Sequence, residues 1–177
     1  MFIFLILGGW LLVSNITMES STPPSQLPVK TSYRGITSDQ MVLTKTVMNE
    51  LRTHLSFTQL RFHCSKNNGR TFHVTTVANS TGEAVVQYFS GQTDVRPASC
   101  GSYVRMENDN SYLGGDCKRL GNEKWGANVP EEAKPYRKLA VDNYAAGSWR
   151  LHSPSVFECD DRFVGVNARD FWKIYVR

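Results

Sequence analysis

The chain has no C-x-x-C pair, so neither a dithiol redox centre nor a zinc ribbon finds its usual ligand spacing. It has no G-x-S-x-G elbow for a serine nucleophile. It also lacks a glycine-rich strand-to-helix motif that would cradle phosphate, and Gly114-Gly115 stands alone as a turn. No segment reaches the ~20 apolar positions needed by a membrane-crossing helix. No period of ~20–50 residues repeats, which sets aside solenoids and propellers. Apolar residues are not in short supply: 41% of the 177 residues are hydrophobic, which argues against disorder. Basic residues outnumber acidic ones by 20 to 16, giving a net charge of +4. That length and composition suit one domain with a sizeable core.

The first positive signal is the uncharged run from Phe2 to Val13. It is too short to span a bilayer but matches the ~7–15-residue apolar stretch of a secretory signal. No Lys or Arg precedes it. Residues 1–18 are therefore expected to be a signal peptide, cut between Ser14 and Ser21. An uncleaved anchor or a buried N-terminal helix is the competing reading. Residues 19–36, with prolines at 23, 24 and 28 and many hydroxyl side chains, read as an extended leader. A single domain is expected over residues 37–177.

The four cysteines, Cys64, Cys100, Cys117 and Cys159, all follow the apolar run. In an oxidising compartment they imply two disulfides with three possible connectivities. The favoured pairing is Cys100–Cys117, stapling a hairpin, with Cys64–Cys159 joining an early strand to a late one. Closing those loops is worth roughly 3 and about 4.7 kcal/mol in the chain-entropy account. Asn79-Ser80-Thr81 is a glycosylation sequon set in a turn-like cluster, and Asn15-Ile16-Thr17 is a second sequon beside the apolar run.

One helix is expected, from Ser38 to Leu55. Thr37 and Gln40 would form its capping box, and Leu43, Val47, Leu51 and Leu55 its apolar stripe. After Ser56 the apolar period falls to two. Leu60, Phe62 and Cys64 alternate with polar neighbours, and Asn67-Asn68-Gly69 marks a hairpin returning through Arg70–Ala78. A turn centred on Asn68-Gly69 would oppose His63 to Val74. Further strands are expected at Glu83–Phe89, Cys100–Met106, Lys138–Asn143, Trp149–His152, Val156–Cys159 and Phe171–Arg177. The fold class is mainly β: an antiparallel sandwich or barrel-like domain with one N-terminal helix packed against it.

Candidate site residues are few. Asp109, in the loop Glu107–Asn110, and Asp160-Asp161 after Cys159 supply oxygens of the kind calcium takes, although their spacing is not that of an EF-hand. Hairpin turns explain the same residues without metal. His63 and His73 lie on adjacent strands as structural histidines. Trp125, Trp149, Tyr136 and Arg137 are the candidate ligand contacts. Aromatic faces stack on sugars, and the run Lys134–Lys138 with Lys118, Arg119 and Lys124 makes that stretch attractive to polyanions. Trp172, in an alternating strand, reads as core. Two carboxylates are all that a glycosidase needs, which keeps a secreted hydrolase as the alternative function.

The wording Leu60-Arg-Phe-His-Cys-Ser-Lys66, Gly69-Arg-Thr-Phe-His-Val-Thr-Thr76, Gly82-Glu-Ala-Val-Val-Gln-Tyr-Phe-Ser90, Cys100-Gly-Ser-Tyr-Val-Arg105, Lys124-Trp-Gly126, Glu158-Cys-Asp-Asp161 and Asp170-Phe-Trp-Lys-Ile-Tyr-Val-Arg177 resembles a secreted domain of cnidarian extracellular proteins of the coral skeletal-matrix type. The likeness covers about residues 58–177 and fits least between Cys117 and Ala146. It implies secretion and a matrix or recognition setting, and it brings no catalytic residues with it. The expected function is a secreted, non-catalytic recognition or matrix module binding a glycan or matrix protein. It would need no cofactor beyond the candidate calcium and have neither nucleic-acid partner nor membrane span. A defensive lectin or toxin is the third reading.

Overall fold

A computed structural model describes residues 5–6, 9–115, 117, 124–126, 149–152, 156–161 and 165–177. Its centre is one open, mixed sheet. The strands are β1 (Leu5–Ile6), β2 (Trp10–Thr17), β3 (Val29–Lys30), β4 (Met41–Leu43), β5 (Leu60–Ser65), β6 (Thr71–Thr76), β7 (Tyr103–Arg105) and β10 (Phe171–Val176). They run in the order β3-β4-β2-β10-β5-β6-β7, with β1 pairing beside β4 on the same edge of β2. Only β3–β4 is parallel. The edge strands β3 and β7 do not meet, so the sheet is not the closed barrel entertained from the sequence. Strands β8 (Trp149–His152) and β9 (Val156–Cys159) form a separate hairpin.

Strand dominates over helix, but three α-helices occur among the described residues where one was expected: α1 (Lys45–Leu55), α2 (Ser80–Phe89) and the single turn α3 (Tyr112–Gly115). The expected helix starts seven residues late. Val42 and its neighbours extend as β4, and Thr44, not Thr37, caps α1 by accepting from the Val47 N–H.

The expected strand at Glu83–Phe89 is instead helix α2. Asn79 Oδ1 accepts from the Thr81 and Gly82 N–H groups, and Gly82, Val85, Val86 and Phe89 share one buried face at helical spacing. Side-chain propensity yielded to the cap and the 3.6-residue period. Gly82 is required for space, since a Cβ there would collide with the Val77 carbonyl.

The end of the apolar run, Trp10–Val13, forms the first half of β2, which lies between β4 and β10. Trp10, Leu11, Val13 and Ile16 are all buried. The leader follows it along the sheet, where Leu27 is buried and β3 pairs with β4. Residues 10–36 thus pack with the described part of residues 37–177, and a cut between Ser14 and Ser21 would sever or remove β2.

Helices α1 and α2 cover one face of the sheet. Val47, Met48, Leu51, Val85, Val86 and Phe89 join Phe62, Val74, Trp172 and Ile174 in a continuous core. Alternation along β10 is as expected, with Trp172, Ile174 and Val176 inward. Both disulfides have the favoured pairing. Cys64–Cys159 ties β5 to β9, whereas Cys100–Cys117 joins the approach to β7 to the residues after α3 and so does not staple a hairpin. Among the described residues, no helix is long and apolar enough to cross a membrane.

Candidate functional site

The face of the sheet turned away from α1 and α2 carries most of the unsaturated chemistry. Along β5 it presents Arg61, His63 and Ser65. The register then sets Arg61 beside Tyr175 and Thr75, His63 beside Lys173 and His73, and Ser65 beside Phe171 and Thr71. The pairing of His63 with His73 corrects the expected partner, Val74. The hairpin loop has three residues, with the Lys66 N–H donating to the Arg70 carbonyl and Gly69 at φ +88°, and this shifts the register by one.

The two imidazoles stack with centroids 3.8 Å apart, and the edge of Phe171 meets His63 at 4.9 Å. Arg61 donates from Nε to His73 Nε2 at 2.8 Å, so Nδ1 carries the proton and donates to the Glu107 carbonyl. His73 is a neutral tautomer held at both nitrogens. Burial, then the neighbouring His73, Arg61 and Lys173, pushes His63 down to about 3. Burial also lowers His73, against its bond to Glu107. His63 therefore stays neutral in the range where histidine normally titrates.

The positive charge on this face comes from Arg61, Lys173 and Arg177, and each lies over an aromatic ring. The Arg61 guanidinium is 5.2 Å from the Tyr175 ring and 6.0 Å from Trp10; Arg177 is 4.6 Å from Trp10; Lys173 Nζ is 4.9 Å from Phe171. None of the three cations forms an ion pair with a carboxylate among the described residues. Trp10 and Tyr175 are buried beneath these cations and Phe171 is half-buried, so the face presents positive charge, which attracts anions.

The carboxylates lie elsewhere, and their oxygens are occupied. Asp109 accepts from the His73 N–H and Ser111 Oγ with one oxygen and from Arg105 with the other. Asp160 accepts from the Tyr112 and Leu113 N–H groups at 2.6 and 3.0 Å, with Arg70 at 3.8 Å. Asp161 accepts from the Cys159 N–H, Asn68 Nδ2 and Lys66 Nζ. Burial lifts Asp160 to about 6 and also raises Asp161, against these donors. The three acids proposed for calcium are therefore locks on the β5–β6 hairpin, β7 and α3. Among the described residues, no group of three acids, histidines or cysteines is arranged to hold a metal.

The aromatic candidates divide. Trp125 is wholly buried against Phe62, Phe89 and Tyr103, with Nε1 donating to Ser102 Oγ at 2.7 Å. It is core, and the reading of it as an exposed contact is corrected. Trp149 lies in β8. Tyr136 and Arg137 are outside the described residues. Of the residues that form the face, His63 reads from the sequence as a structural histidine, while Arg61, Lys173, Tyr175 and Trp10 each look unremarkable in their own strands. Alternation marked which side they share, but only the order of strands brings them together. The chain matches no family model, no curated protein and no solved structure in the comparisons made.

Proposed function

We propose that this protein is an extracellular recognition module whose outer sheet face binds a polyanionic glycan, with sulfated sugar chains as the ligand class. The observation that carries this reading is the set of cations on one face, Arg61, Lys173 and Arg177, seated on rings and unmatched by carboxylates among the described residues. Guanidinium forks suit sulfate oxygens, and the buried Trp10 and Tyr175 rings beneath Arg61 and Arg177 hold those forks in place. His63, pushed down to about 3, fills the space between the cations without adding charge of its own. Two disulfides fit an oxidising compartment, and a net charge of +4 favours polyanions.

N-glycosylation at Asn79 belongs to the same reading. Asn79 is exposed at the start of α2 and uses only its Oδ1 as the cap. Attachment at Nδ2 would leave that cap intact. The test is elution from immobilised heparin. The Arg61→Ala/Lys173→Ala double variant is expected to elute at clearly lower salt than the parent, with an unchanged far-ultraviolet spectrum. Equal salt for both proteins would overturn the assignment of this face.

A further inference from the structure

Lys66 and Asp161 are an ion pair withdrawn from water. Nζ lies 2.6 Å from Oδ2, and the side chains are 1% and 5% exposed. Lys66 immediately follows β5, and Asp161 follows β9 by two residues, so the pair stands just beyond the Cys64–Cys159 bridge. The Trp172 ring lies 5.9 Å from Nζ. We propose that these two side chains condense to an isopeptide bond, joining Lys66 Nζ to Asp161 Cγ.

The step balances without an oxidant or co-reactant. The ammonium passes one proton to the carboxylate oxygen it touches, giving a neutral amine and a carboxylic acid. The amine lone pair attacks Cγ, and the N–C bond forms. A second amine proton moves to the hydroxyl oxygen, the Cγ–O bond breaks and one water leaves. Two opposite charges disappear from a buried site, which removes their cost of desolvation.

The surroundings suit both ends of the reaction. The Cys159 N–H donates to Oδ1 at 2.7 Å, where negative charge develops during attack and where the product amide keeps its carbonyl oxygen. Asn68 Nδ2 donates to the departing Oδ2 at 3.1 Å, and Asn68 is itself exposed, so the water has a route out. The remaining amide N–H faces the Phe157 carbonyl, 3.4 Å from Nζ. Burial, which holds the Asp161 carboxyl above its ordinary range, favours the protonated acid that the attack needs. The pair is held in contact by folding itself, which replaces a bimolecular encounter.

Peptide mapping of the full chain after disulfide reduction tests this. A branched tryptic peptide should appear that contains Lys66 and Asp161, lighter than its parts by one water, with Lys66 resistant to trypsin. Asp161→Asn should give the same branch with loss of one ammonia, and Asp161→Ala should abolish it. Separate linear peptides of full mass from the folded parent would overturn the proposal. A water loss that persists in Asp161→Ala would do so as well. The parent map decides the question even if Asp161→Ala fails to fold.

Discussion

Two regions of the molecule gather charge, and they do so in opposite ways. On the outer face of β5 and β10 the cations rest on rings and meet no carboxylate among the described residues. Beneath the β5–β6 turn, Lys66, Arg70, Asp160, Asp161 and Asp170 are tied to one another or to backbone groups of distant segments. Asp170 alone accepts from the Asn67 and Asn167 N–H groups. The first region has capacity left for an outside partner, whereas the second has spent its own on fastening the hairpin to β9, α3 and the start of β10. What sets the proposed binding face apart from scaffold here is how far its charges are already paired, and residue type alone does not reveal that.

The contrast can be broken at several points. Removing residues 1–18 takes away β2 and with it the strand between β4 and β10. The expected result is loss of the cooperative thermal transition seen by circular dichroism. Asp160→Ala strands the Tyr112 and Leu113 N–H groups and is expected to destabilise the protein by about 1–3 kcal/mol in denaturant unfolding.

Acid should separate the regions by sign. His63 and His73 have lowered values in the fold, so the stability they allow is complete above the ordinary histidine value and is lost as pH falls below it. Asp160, raised to about 6, acts the other way: its contribution is favourable at low pH and is lost as pH rises from the normal carboxylate range through 6. His63→Gln should therefore flatten the fall in melting temperature between pH 6.5 and 4, and Asp160→Asn should steepen it. The smallest effect belongs to Lys173→Ala. As a surface cation without an ion pair among the described residues, it should change stability by no more than about 0.5 kcal/mol while still lowering heparin retention.

Much of the architecture was legible because it rests on local patterns. The alternation of Leu60, Phe62 and Cys64 and of Trp172, Ile174 and Val176 located two central strands, the hairpin at Asn68-Gly69 followed from turn chemistry, and Trp149–His152 and Val156–Cys159 were legible as strands. The failures came where two local signals competed. At Glu83–Phe89, valines suggested a strand, but an Asn cap and a helical face decided otherwise. The candidate site was less legible still. Its cations and rings come from β2, β5 and β10, and only long-range register makes them neighbours. Trp125 and the three aspartates drew attention through residue type, while burial and saturated hydrogen bonding put them to structural use.

The pairing of β2 with β10 joins Thr17 to Phe171, partners separated by nearly the whole length of the described chain. During synthesis the earlier strand therefore waits, sticky and without its main neighbour, until the later one has emerged. Such long-separation contacts make for slow folding and expose intermediates to aggregation. The protein should accordingly depend on holding factors while it is made, and refold poorly from concentrated denaturant even though the finished molecule is doubly bridged.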